Sequence, residues 1–519
     1  MITDANDLPN GHLVNTDICI IGAGVAGITL AREFANSDLQ LTLLESGGLS
    51  HEPAVQTLYE GEYNARDYRF DLTTSRLRYF GGTSNHWAGN CMTLQDADFE
   101  QRDWVQHSGW PIRKSELTDY YHQAAKICEL GRYQLDAYNN PGILPGPLTP
   151  YDNKRLWQDV MQSSPPTRFG TRYREDIMQA DNILTLLHAN VIDIRPNEAA
   201  TSVHELSVVN DVGKKFVVKA RYYILACGGI ENARLLLHAN QQHQNRLGRT
   251  PDLIGRFYMD HPFVWAGVFV ETSGDSTTYF QRRKTNSGKY IRGVVGISPD
   301  MQRQHGIANS SIAITPLSYL AAKRVEELKE LVDLDTDKQM HRLLTERPTG
   351  RIGRWLDRLR VRLGWRSSEP RLHLVFVRPE QVPNPDSRIT LTNKLDRLGV
   401  PKVRVDWTLT EFDRRTMDKT LQIFAQETGR LGYGRIKNIL GDEPVLPEKI
   451  RGGPHHMGTT RMHDDPEQGV VDRDSKLHGL DNFYIAGSSV FTTSGYAMPT
   501  LTIVALTLRL ADHLKQKIR

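Results

Sequence analysis

Residues 16–45 constrain this chain more than any other stretch. Residues 16–22 are a short β-branched run with the pattern of a buried strand. Gly22-Ala23-Gly24-Val25-Ala26-Gly27 follows, then a helical stretch over 28–36 and a second strand over 39–44 that ends at Glu45. This order reads as a βαβ unit opening a parallel sheet. Gly22 permits the tight turn, Gly24 lets backbone approach a pyrophosphate, and Gly27 lets the helix pack on the strand. The helix N-terminus then offers amides and a positive dipole end to phosphate. A carboxylate at Glu45 can hold both hydroxyls of a ribose, whereas a 2′-phosphorylated dinucleotide would call for a basic or neutral residue there. The glycine spacing alone is a weak motif; with a strand before it, a helix after it and the acid in place it marks a dinucleotide site.

At 519 residues the chain has room for two or more domains. Its 64 basic and 61 acidic residues leave a net charge of +3, which argues against nucleic-acid binding by bulk charge. The four cysteines, Cys19, Cys91, Cys128 and Cys227, include no Cys-x-x-Cys pair, so neither a zinc site nor a redox dithiol is expected. The first 15 residues are polar and no run of 18 apolar residues occurs, so a cytoplasmic protein without a membrane span is expected.

Strand-like runs recur at 183–191, 205–209 and 216–226, and helices are expected over 116–130 and 230–239. Between 260 and 443 the pattern changes. Alternating segments at 371–377, 388–391 and 402–407 suggest an antiparallel sheet, interrupted by a charged helical stretch over 319–366. Within it, residues 351–366 carry six arginines around Ile352, Trp355, Leu359 and Leu363 at helical spacing. That pattern fits a surface helix docked on the core, or a contact with a partner protein, an acidic substrate or a membrane surface.

Two further motifs carry chemistry. Gly81-Gly82-Thr83-Ser84-Asn85-His86-Trp87 is a loop whose glycines let backbone reach a flat ligand. His455-His456-Met457-Gly458-Thr459-Thr460-Arg461-Met462, Gly487-Ser488-Ser489 and Pro499-Thr500 follow near the C-terminus. With Ile224-Leu225-Ala226-Cys227-Gly228-Gly229 and Asp260-His261-Pro262, these motifs resemble the glucose–methanol–choline flavoproteins, in the branch that looks like pyranose oxidase. The resemblance runs through most of the chain and is weakest in its middle.

The resemblance implies an α/β fold: an FAD-binding Rossmann-like domain over 12–260 and 450–519, interleaved with an antiparallel-sheet substrate domain over 261–449. It implies FAD, with no requirement for NAD. The cofactor would be held by Gly22, Gly24, Gly27, Glu45, Gly82, Thr83, Ser84, Asn85, His86, Val191, Gly487, Ser488 and Thr500. His86 matches the histidine that some members bond covalently to the flavin; the alternative is a ring that packs beside it. His455 matches the residue that takes the substrate proton as hydride moves from an alcohol, a sugar or a glycoside, and His261 reads as structural. Met498 is a departure, because members place His or Asn there to donate a second hydrogen bond to the substrate oxygen; Tyr496 is a candidate replacement donor. A redox-neutral lyase and a non-catalytic FAD-binding protein are the other readings. The electron acceptor is left open.

Overall fold

The computed structural model describes residues 1–64, 71–131, 149–272, 277–285, 288–317, 351–352, 355–356, 359, 371–440 and 450–518. The chain is α/β, built on two large sheets. Leu13–Ile21 forms the strand expected from the β-branched run, and its last four residues are all buried, as a strand covered on both faces requires. It pairs in parallel with Leu41–Leu44 on one side and Lys215–Leu225 on the other. Ile183–Leu187 and Ile2–Asp4 extend the sheet beyond Leu41–Leu44. Phe483–Ile485 adds in parallel to the end of Lys215–Leu225, while Val203–Val209 and Asn190–Pro196 complete the eight-stranded sheet as antiparallel strands. The helices Val25–Glu33, Gly228–Gln242 and Thr500–Ile518 serve this part of the molecule.

The run read as one strand at 183–191 is two. His188 adopts a left-handed backbone at φ 53°, and the chain turns there.

The second sheet is nine-stranded and antiparallel, with Pro262–Glu271, Arg371–Pro379, Ser310–Pro316, Tyr290–Ile297 and Leu156–Ser163 at its centre. Leu156–Ser163 and Asn90–Cys91 enter it from ahead of residue 260. The expected strands at 388–391 and 402–407 lie elsewhere: Arg388–Leu395 and Pro401–Asp406 pair with each other and with Gly61–Asn64 in a separate three-stranded sheet. The helix Glu411–Arg430, capped by Thr410 and Asp413 in a reciprocal box, packs on the large antiparallel sheet and was not read from the sequence.

Most of the charged stretch over 319–366 lies outside the described residues, including Arg354, Arg358 and Arg362. Where it is described, Ile352 and Trp355 are 65% and 60% exposed, so these two side chains are not docked on the core. Among the described residues no helix is long and apolar enough to cross a membrane.

Candidate active site

One cavity of about 610 Å³ runs from the Gly22–Gly24 turn to His455. Gly22 sits at φ 101°, and a Cβ there would press on the Ala226 carbonyl. A Cβ on Gly27 would collide with the Gly22 carbonyl, so Gly27 sets how closely helix approaches strand. Nothing lies within 4 Å of where a Gly24 Cβ would be, and Gly24 lines the cavity. Glu45 closes Leu41–Leu44 with a buried carboxylate that accepts from Ala23 N at 3.0 Å and Gly47 N at 3.0 Å. Burial raises its pKa, and the Gly47 and Ala23 amides and the Arg78 charge hold the rise back. Ala189 and Val191 line the same end, positioned by the turn at His188.

The 81–87 loop is stitched to the first turn by Gly81 N donating to Ala23 O at 2.8 Å. Ser84 Oγ donates to Gly81 O and accepts from Phe169 N, and Arg168 donates to the carbonyls of Ser84 and Trp87. Gly82, Thr83, Ser84 and His86 line the cavity. Asn85 does not; its amide donates to Phe80 O and braces the loop. The His86 ring opens on the cavity, and partial burial followed by the Arg168 charge lowers its pKa, which keeps it neutral.

Beneath the dinucleotide end lies a buried charge network. Glu231 meets Arg76 at 3.1 Å, Arg78 at 3.2 Å and Arg234 at 3.2 Å, and Arg234 also meets Asp396 at 2.6 Å. Burial alone would raise the Glu231 pKa, but Arg234, Arg78 and Arg76 bring it down to about 2. Every cation in this network faces a carboxylate.

At the other end, the backbone amides of Gly453, His455 and His261 converge on Asp260 Oδ1 at 3.1, 2.8 and 2.7 Å. This fixes His455 beside His261, their Nδ1 atoms 2.9 Å apart. The proton positions follow from the partners. His261 Nε2 lies 2.8 Å from Gly495 O, and a carbonyl can only accept, so Nε2 carries the proton. Burial, then the Arg378 charge, lowers the His261 pKa to about 3, so its Nδ1 holds a lone pair. His455 Nδ1–H must then donate to it, which leaves the lone pair of His455 on Nε2. His455 is also kept neutral: burial comes first, and the neighbouring His261, Arg378 and His456 also disfavour a proton on it, so its pKa lies well below the usual value. His261, read as structural from the sequence, is therefore the residue that sets the tautomer of His455. His456 also lines the cavity, and its Nδ1 pairs with Tyr258 OH at 2.7 Å.

Met498 lines the cavity near His455. Its Sδ takes a long contact from Arg378 Nη1 at 3.6 Å. Tyr496 is not the replacement donor: it is buried, its hydroxyl accepts from Gln95 at 2.7 Å, and it does not line the cavity. Arg378 and Arg292 do line it, and neither was singled out in the sequence. Gly487, Ser488 and Thr500 complete the wall; Gly487 has nothing within 4 Å of a Cβ position, and Thr500 begins the last helix.

Of the residues expected to hold cofactor or substrate, the fold thus brings all to one cavity except Gly27 and Asn85, which shape it from behind. The bare Gly24 backbone, the buried Glu45 carboxylate and the first turn of the 500–518 helix fit the diphosphate, ribose and flavin of FAD.

Comparison with known proteins finds relatives along the whole chain. The family profile described as GMC oxidoreductase matches residues 383–507. The fructose dehydrogenase large subunit of Gluconobacter japonicus is 22% identical, over 98% of this chain and 99% of its own. The 6′′′-hydroxyparomomycin C oxidase of Streptomyces lividus is 25% identical over 96% of this chain and 92% of its own. Among solved structures, an Aspergillus oryzae RIB40 formate oxidase, in which an arginine-to-lysine substitution bears on FAD modification, covers 98% of this chain and 99% of its own at a TM-score of 0.57 and 16% identity. The chain is thus similar to GMC oxidoreductases, through the family profile over residues 383–507 and through relatives that align along nearly its whole length.

Proposed function

We propose that this oxidoreductase binds FAD in the cavity and oxidises a CH–OH group, with His455 as the base. The observation that carries the reading is the His261–His455 pair, whose hydrogen bonds leave a neutral lone pair on His455 Nε2 at the cavity wall. Gly22, Gly24, Glu45, Val191, Gly487 and Thr500 would hold the cofactor. FAD, when bound, supplies the hydride acceptor. His455 Nε2 takes the hydroxyl proton as the substrate C–H bond breaks, and Nδ1–H keeps its bond to His261 throughout. The relatives' names, a fructose dehydrogenase and a 6′′′-hydroxyparomomycin C oxidase among them, support an alcohol or sugar as the substrate class.

His455→Ala should retain FAD and slow flavin reduction by about 10²–10⁴-fold, the usual worth of general acid–base assistance. Anaerobic stopped-flow absorbance measures it, and full-rate reduction in a folded, yellow variant would remove His455 from the mechanism.

His86 is the proposed point of covalent attachment to the flavin, supported by a neutral ring open to the cavity. Acid precipitation should carry flavin into the pellet, on the peptide that contains His86; flavin wholly in the supernatant means that the ring only packs against it. Residues 351–366 are proposed to serve contact with a partner rather than chemistry. Ile352 and Trp355 are exposed, and no described residue of the segment lines the cavity.

A further inference from the structure

The substrate end of the cavity carries two guanidinium groups and, among the described residues, no carboxylate paired with either. Among the described residues Arg378, 6% exposed, donates to Ser311 Oγ at 3.2 Å and to the Met498 thioether at 3.6 Å, and its Nε is left without a partner. Arg292 has a buried Nε with no partner either. Each lowers or suffers from a neighbouring cation: burial and then the Arg292 charge pull the Arg378 pKa down to about 10, and burial and then Arg282 lower that of Arg292. A thioether is a weak acceptor and a hydroxyl is neutral, so neither offsets a buried charge. Other buried arginines pair with acids, as Arg102 does with Glu380 at 2.6 Å and Arg234 with Asp396 at 2.6 Å, whereas Arg461, buried away from the cavity, donates to the His107 carbonyl.

Resting on the oxidoreductase reading above, we propose that the substrate carries an anionic oxygen group, a carboxylate or a phosphate, seated between Arg378 and Arg292. Planar guanidinium forks match the oxygens of either group. Met498 then makes sense where the family places a donor: a soft, uncharged side chain leaves the Arg378 fork turned to the ligand. The bound anion also helps the base. Arg378 disfavours a proton on His455, and an anion on Arg378 removes that penalty at the moment the proton moves.

The test uses the FAD-loaded protein. Acetate and inorganic phosphate are titrated against the flavin absorbance of the wild type, Arg378→Met and Arg292→Met, with acetamide as the uncharged control. Saturable perturbation by at least one anion, absent with acetamide and weakened at least about tenfold in each variant, supports the site. Arg378→Lys and Arg292→Lys, which keep the charge, should restore part of the affinity and guard against misfolding. Glycerol, glycerate and glycerol 3-phosphate are then compared as anaerobic reductants. Preference for glycerate marks a carboxylate, preference for glycerol 3-phosphate a phosphate. No anion effect, or one equal in the variants, overturns the proposal even if neutral alcohols reduce the flavin. Anion binding through both arginines with no reduction by any alcohol keeps the site and rejects the oxidoreductase reading instead.

Discussion

The two ends of the cavity each contain buried arginines and treat them in opposite ways. At the dinucleotide end, Arg76, Arg78 and Arg234 converge on Glu231, and Asp396 adds a second acid. At the substrate end, Arg378 meets a hydroxyl, a thioether and the charge of half-buried Arg292, which in turn feels that of Arg282. A buried charge costs several kcal/mol unless something offsets it. The first set is therefore complete within the chain, and its Arg78 also sits within electrostatic reach of Glu45. The second set has no carboxylate partner among the described residues, and a ligand is the proposed source of its counter-charge. Electrostatic completeness separates the part of the cavity that is built for stability from the part that is built for binding.

The largest effect is expected from breaking the complete end. Glu231→Gln leaves Arg76 and Arg78 buried without an acid and should cost about 3–5 kcal/mol, read from the urea unfolding midpoint. A loss below about 1 kcal/mol would show that the network is solvated rather than load-sharing. A smaller effect is expected in the pH profile of flavin reduction. The His455 pKa lies well below the usual histidine value, so its base form persists as pH falls through 6.5 and the acid limb of the rate lies on the acidic side of that point. Arg378→Met removes one cause of the lowering, so the limb should move towards neutral pH; a limb that stays in place would mean that Arg378 does not act on the base. The smallest effect is expected on stability at the incomplete end. Arg378→Met, in the absence of added anion, should leave the unfolding free energy unchanged or raise it, because an unpaired buried cation gives way to an apolar side chain. A loss approaching that of Glu231→Gln would erase the contrast between the two ends.

Much of the site was legible before any coordinates. The Gly22, Gly24 and Gly27 spacing, Glu45, the 81–87 loop and His455 are local patterns, in which the backbone period and a few neighbouring residues determine what the segment can do. The element types around them followed for the same reason. Errors arose where a decision was not local. The break at His188 is a single left-handed residue inside an apolar run. The strands Arg388–Leu395 and Pro401–Asp406 alternate like sheet strands, but alternation does not say which sheet they join, and they found Gly61–Asn64 instead of the large sheet.

What the sequence by itself determined is the dinucleotide end, its acid, and the presence of a histidine suited to take a proton. Only the tertiary structure decided the state of that histidine and the charge around it. His261 reads as a buried residue until Asp260 and Gly495 hold it against His455. Arg378 and Arg292 read as single charges in apolar strands until the sheet turns both into the cavity. Tautomer and charge balance depend on partners far away in the chain, and pairing across a fold is not written in the spacing of neighbours.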